Sequence, residues 1–150
     1  RMIGLVGPGG TGKSWYAERL VDRLEKGPAS FDGYFFWSSY YSNDALTGLD
    51  RALAYLDPEH SIPGNRIDRF RECLRRGHYL VVFDGIERFL KQTDHPDEGR
   101  GFTASATTFL NALIDPESQS TVLITSRLWP EMFNSSDPRI LRVPMQLFTT

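Results

Sequence analysis

Gly7-Pro8-Gly9-Gly10-Thr11-Gly12-Lys13-Ser14 follows the apolar run Met2 to Val6 and opens a helical pattern, and from this stretch the rest of the chain can be read outward. It fits the spacing G-x-x-x-x-G-K-[ST] in the strand-then-helix setting that the spacing requires. Backbone amides from Gly9 to Ser14 can wrap a polyphosphate only where bulky Cβ atoms are missing from the tight turns, which accounts for the glycines. A helix beginning near Lys13 adds the positive end of its dipole. In such a cradle Lys13 reaches the β- and γ-phosphates, and the Ser14 hydroxyl ligates a magnesium ion that bridges them. Pro8 lacks an amide and stiffens the approach to the loop.

Outward from this loop, short apolar runs alternate with helical patterns. Tyr16, Leu20 and Leu24, with Ala17 and Val21, mark one helix face that stops at Gly27-Pro28. Tyr34 to Ser38 reads as a strand. Ser42-Asn43-Asp44 offers caps for a helix carrying Leu46, Leu49, Leu53 and Leu56, which Asp57-Pro58 ends. After a turn at Ser61 to Gly64, Ile67, Phe70 and Leu74 define a third helix face stopped by Gly77. Tyr79 to Phe83 is a continuous apolar run, as expected of a central strand covered on both faces. The charged stretch Lys91 to Gly101 has no periodicity and reads as a surface loop. Phe102, Ala106, Phe109, Leu110 and Leu113 restore the helical pattern as far as Asp115-Pro116, and Thr121 to Ser126 and Arg139 to Val143 supply two last strands. Five strands interleaved with helices predict an α/β fold, a mainly parallel five-stranded sheet in a three-layer α/β/α sandwich.

Two further segments carry candidate chemistry. Asp84 ends the run Tyr79-Leu80-Val81-Val82-Phe83, and an acid at the carboxyl end of a buried strand beside the phosphate strand is placed to hold magnesium. Glu87, three residues on, can orient or deprotonate an attacking water. Thr121-Val122-Leu123-Ile124-Thr125-Ser126 ends at Arg127; if this strand flanks the first, the guanidinium points into the same crevice and can sense a terminal phosphate. The catalytic candidates are therefore Lys13, Asp84, Glu87 and Arg127, and the metal candidates Ser14 and Asp84.

Composition narrows the field. A chain of 150 residues is long enough for one packed core and too short for two ordinary domains. No apolar run approaches the roughly 20 residues that span a bilayer. A formal charge of −2 leaves no broad cationic field to collect a polyanion, so no direct nucleic-acid partner is expected. The single cysteine, Cys73, forbids an internal disulfide, and with no leader before the first strand the expected setting is the cytoplasm. His60, His78 and His95 show no ligand spacing with Cys73. Phe31, Tyr34, Phe35, Phe36, Trp37, Tyr40 and Tyr41 read as core and sheet-edge packing, and Arg66, Arg69, Arg71, Arg75 and Arg76 as the solvated face of one helix.

In order along the chain, GPGGTGKS, FFWSSYYS, LVVFDGIE and LITSR resemble the phosphate loop, the W-S-x-Y stretch, the Walker B strand and the sensor segment of STAND P-loop NTPases, the group that holds NACHT and NB-ARC modules. The resemblance covers nearly the whole chain. It implies a P-loop NTPase core that binds ATP or ADP with Mg2+, hydrolyses ATP slowly, and switches between a closed resting state and an oligomeric active one. It further implies homo-oligomerisation through this domain, and effector and sensor domains in a longer chain from which residues 1–150 are a core. In bacterial relatives the setting is often defence against phage. Many relatives of the wider fold place an acid directly after the Walker B aspartate; this chain has Gly85 there, and the base assignment moves to Glu87. Other readings remain open from the residues alone. A small-molecule or nucleotide kinase shares the phosphate loop, and the arginines between Arg66 and Arg76 could close over phosphates. A GTPase would want N-K-x-D, and Lys91-Gln92-Thr93-Asp94 has the wrong spacing. A scaffold that binds nucleotide without turning it over is the fourth.

Overall fold

Each apolar run becomes a strand in the computed structural model, which describes residues 1–28, 30–42, 44–89, 104–133 and 136–147. The strands are β1 (Met2–Val6), β2 (Gly33–Ser38), β3 (Tyr79–Asp84), β4 (Thr121–Ser126) and β5 (Ile140–Pro144). The helices are α1 (Lys13–Lys26), α2 (Ala45–Leu56), α3 (Arg66–Arg76) and α4 (Ala104–Ala112), with a 3₁₀ turn at Ile86–Phe89. The strands pair in the order β2-β3-β4-β1-β5, and every pairing is parallel. Parallel neighbours need long crossovers, and the helices supply them.

Alternation along β3 shows how the layers form. Leu80 and Val82 join Leu5, Ala17 and Leu123 under α1, whereas Val81 and Phe83 join Leu49, Phe70 and Phe109 under α2, α3 and α4. Phe83 is fully buried, and its ring meets that of Phe109 edge-on at 4.9 Å. The result is the expected three-layer sandwich, with one helix on one face of the sheet and three on the other among the described residues.

Strand order differs from expectation in one respect. β3 does not lie beside β1; β4 stands between them, paired to both. An apolar run reports burial on both faces but not which strand is its neighbour, so the order could not be read from it. The expected flanking of β1 by the strand that leads to Arg127 does occur. Because all strands run the same way, β1, β2, β3 and β4 end at one edge of the sheet, where Val6 pairs with Ser126 and Ser38 with Asp84.

The arginine-rich helix α3 is not simply a solvated face. Arg75 grips buried Asp115 with two bonds of 2.6 and 3.0 Å, Arg69 donates to buried Asp57 at 3.0 Å, and Arg71 donates to the Asn111 carbonyl at 2.6 Å. Only Arg66 and Arg76 stay exposed, each paired to an acid. The reason is spacing: Arg71 and Arg75, four apart, share the flank of the apolar face that meets the end of α4, and Arg69 stands on the other flank, which meets the end of α2. Burial raises the Asp57 carboxyl, but Arg69 and the bonds from Ser61 and Ile62 outweigh it and hold the group well below the usual carboxylate range. Trp37 is in the core and Phe31, Tyr34, Phe35 and Phe36 are half-buried, as expected, whereas Tyr40 and Tyr41 are 64% and 75% exposed. The predicted loop from Lys91 to Gly101, with His95, and Asn43 and Phe102 lie outside the described residues. Among the described residues no helix is long and apolar enough to cross a membrane.

Candidate functional site

The loop between β1 and α1 turns back on itself through two left-handed glycines, Gly10 and Gly12, each with φ of 80°, and Gly12 caps α1. This curl lets Lys13, the first residue of α1, fold its side chain over the loop. Its ammonium donates to the carbonyls of Gly7 at 2.7 Å and Pro8 at 2.8 Å and to Thr11 Oγ1 at 3.2 Å, with only 8% of the residue exposed. Thr11 in turn donates to the Pro8 carbonyl at 2.9 Å. Burial lowers the Lys13 pKa from its ordinary value; Glu87 opposes the shift, Arg127 adds to it, and Asp84 opposes it less strongly. The ammonium thus feels the three other catalytic candidates.

Asp84, buried at the end of β3, meets the start of α1. Ser14 Oγ donates to its Oδ1 at 2.7 Å, although the two residues are 70 apart in sequence. Thr125 Oγ1 donates to the same oxygen at 2.5 Å, and Ser38 Oγ donates to Oδ2 at 3.2 Å. After Asp84 the chain turns through Gly85, whose φ of 74° favours glycine and whose added Cβ would stand 2.6 Å from Ser39 Oγ. The 3₁₀ turn that follows swings Glu87 inward. Glu87 is 7% exposed, and its Oε2 is buried with no hydrogen-bond partner. Arg127 Nε lies 3.7 Å from Glu87 Oε1, and the guanidinium packs against Gly9, where a Cβ would meet it at 3.1 Å.

Lys13, Ser14, Glu87 and Arg127 line one cleft of about 300 Å³ together with Gly9, Gly10, Gly12, Gly85 and Thr125, and buried Asp84 lies behind the lining residues Ser14 and Thr125, which both donate to it. The structure therefore brings together Lys13, Ser14, Asp84, Glu87 and Arg127. Gly7 and Pro8 lie at the base of the loop and take part through their carbonyls. Ser14 and Asp84 offer hard oxygens next to each other. Two such protein oxygens suit a magnesium ion that brings water and phosphate oxygens for its remaining positions. Sequence reasoning did not single out Ser38 or Thr125 as site residues. Their signal was the hydroxyls that end β2 and β4, but their convergence on Asp84 depends on β3 lying between those two strands.

A parallel sheet with a glycine loop leading from its strand β1 into a helix, and an acid at the end of a strand one place removed, is the fold of P-loop NTPases. Solved structures carry the same fold. Over 98% of this chain it is similar to 40% of the Aeropyrum pernix ORC1 protein in complex with DNA, with a TM-score of 0.60 and 19% identity. Over 99% it is similar to 38% of a chain in Drosophila ORC bound to DNA, with a TM-score of 0.57 and 19% identity. The chain thus spans about two fifths of the length of either. No protein-family model matches it, and no curated protein does.

These likenesses correct one expectation. A formal charge of −2 predicts no direct nucleic-acid partner, yet both similar proteins are seen with DNA. Net charge is a sum over the whole chain, whereas phosphate contacts depend on local groups of cations and amides. Exclusion on net charge therefore does not hold for this fold.

Proposed function

We propose that the chain is the ATP-binding, slowly hydrolysing core of a STAND-type regulatory protein. Its nucleotide state would set conformation and assembly into a homo-oligomer, and sensor and effector domains would lie elsewhere in a longer chain. The observation that carries this reading is the 2.7 Å bond from Ser14 to Asp84 beside the folded-back ammonium of Lys13. The loop amides from Gly9 to Ser14 receive the phosphates, and Lys13 turns one or more donors from loop carbonyls to phosphate oxygens. Ser14 and Asp84 hold Mg2+, which when bound neutralises charge on the β- and γ-phosphates. Glu87, with a buried oxygen lacking a partner, takes a water proton at Oε2. Arg127, already against Gly9, reads the γ-phosphate. A nucleotide moves such a switch only as far as it prefers one state, and this contact distinguishes ATP from ADP. Signalling in bacterial defence is the setting this resemblance suggests.

Incubation with γ-labelled ATP and Mg2+ tests the reading: release of inorganic phosphate with no labelled acceptor supports it, and label transferred to a metabolite supports a kinase instead. The α3 arginines do not favour that alternative, since each has an intramolecular partner. The DNA-bound state of both ORC structures brings nucleic acid forward as a partner of the parent protein, and a salt-dependent shift of a labelled duplex measures it.

A further inference from the structure

Asp84 is held by more groups than placing one acid at a cleft edge requires. It is 3% exposed and collects hydroxyls from three elements: Ser14 of α1 and Thr125 of β4 on Oδ1, and Ser38 of β2 on Oδ2. A carboxylate offers about four lone-pair directions. Among the described residues, hydroxyls occupy both on Oδ1 and leave one on Oδ2 open. Neither strand-borne hydroxyl is free to turn. Thr125 Oγ1 accepts from the Gly85 amide at 2.8 Å, which points its hydrogen at Asp84. Ser38 Oγ accepts from the Tyr40 amide at 3.3 Å, with the same effect. The backbone is pinned as well, since the Ser39 amide donates to the Asp84 carbonyl at 2.9 Å and Ser39 Oγ to the Gly85 carbonyl at 2.6 Å.

We propose that Ser38 and Thr125 are positioning residues that confine Asp84 to a single acceptor direction, and that this makes the site select Mg2+ over Ca2+. The proposal rests on the ATP–magnesium reading above and adds its ion specificity. Calcium takes six to eight oxygens at about 2.3–2.6 Å and commonly uses both oxygens of a carboxylate. Magnesium keeps a tight octahedral shell with several waters, at about 2.0–2.1 Å. A carboxylate with one open direction can meet a single ligand or a single metal-bound water. It cannot turn both oxygens to a larger ion without giving up the hydroxyl of Ser14 or that of Thr125. The two strands that flank β3 thus act as the jaws of a clamp.

The test is the concentration of Mg2+ and, separately, of Ca2+ that half-saturates tight ATP binding by the full chain, followed by fluorescence of Trp15 at the cleft mouth. Ser38→Ala and Thr125→Val should each lower the preference for Mg2+ over Ca2+ about 10-fold, the usual effect of removing a group that orients a metal ligand. Thr125→Ser, which keeps the hydroxyl, should restore it. A general loosening of the fold would weaken both ions together and leave the preference as it was. An unchanged preference in either hydroxyl-free variant that still binds ATP overturns the clamp alone. Failure of the unsubstituted chain to bind ATP overturns the nucleotide reading and the clamp with it.

Discussion

Replacing Lys13 by methionine removes the ammonium and keeps most of the stem, so it isolates what the charge does. Without nucleotide that ammonium makes three bonds, to the Gly7 and Pro8 carbonyls and to Thr11 Oγ1. When phosphate enters, two of its donors can turn to phosphate oxygens. Two bonds from the ammonium to ionised phosphate oxygens contribute about 6 kcal/mol, and giving up two ammonium–carbonyl bonds costs about 3 kcal/mol, which leaves about 3 kcal/mol. At about 1.4 kcal/mol per decade, ATP affinity should fall about 100-fold in Lys13→Met. The folded chain should respond differently. Burial already depresses the Lys13 pKa, so folding resists this charge, and its removal relieves desolvation while taking a donor from the Gly7 carbonyl; the Pro8 carbonyl keeps its bond from Thr11. These effects oppose each other, and stability should move by less than about 1 kcal/mol. Titration with ATP and Mg2+ by Trp15 fluorescence, beside urea unfolding of both proteins, reads the two quantities separately. Equal affinity in the two proteins would refute the phosphate role, and a large stability loss accounting for the lost affinity would refute the reasoning about the loop.

Three further outcomes follow from the same geometry. Glu87→Gln should bind ATP but release phosphate at least about 100-fold more slowly, as expected when a positioned base is removed; turnover within a few-fold of the unsubstituted rate assigns the base elsewhere. Gly85→Ala places a Cβ at positive φ and 2.6 Å from Ser39 Oγ, so unfolding in urea should show a loss of about 2 kcal/mol, and a loss near zero contradicts the tight turn after Asp84. Asp57 has its carboxyl pKa held below the unfolded value of about 3.9, so its contribution is complete above that pH and fades as pH falls through the depressed folded value. Asp57→Asn should therefore lower Tm at neutral pH and show a shallower decline below about pH 4 than the unsubstituted chain; parallel acid limbs rule out the Arg69 and Ser61 network as the source.

How far the sequence reaches depends on whether the deciding contacts are local. The start of α1 after Gly12, the Asp44 cap, the stop of α3 at Gly77 and the two-faced burial of β3 all follow from residues within a few positions of one another. The phosphate loop is legible for the same reason: its glycines, Lys13 and the helix start form one continuous stretch. The roles of Arg69 and Arg75 are not legible in the sequence because their partners, Asp57 and Asp115, lie outside α3, and a run of cations on a helix looks the same whether it faces water or buried carboxylates.

The clamp on Asp84 shows the limit most sharply, because it is a property of strand order. Ser38 and Thr125 are 87 residues apart, yet both stand against one carboxylate because β2 and β4 flank β3 in register, with Ser38 beside Asp84 and Ile124 beside Phe83. Had β3 lain next to β1, as its apolar run allowed, one of these two hydroxyls would have been carried away from Asp84. The same displacement explains why Ser14 is the residue that spans the gap. β1 cannot touch β3 through the sheet, so contact between the glycine loop and Asp84 is made over the top of β4, by a hydroxyl on the first turn of α1. Arg127, leaving the end of β4, then stands between the loop at Gly9 and the carboxylate of Glu87, so the strand that separates β1 from β3 also supplies the cation that touches both sides.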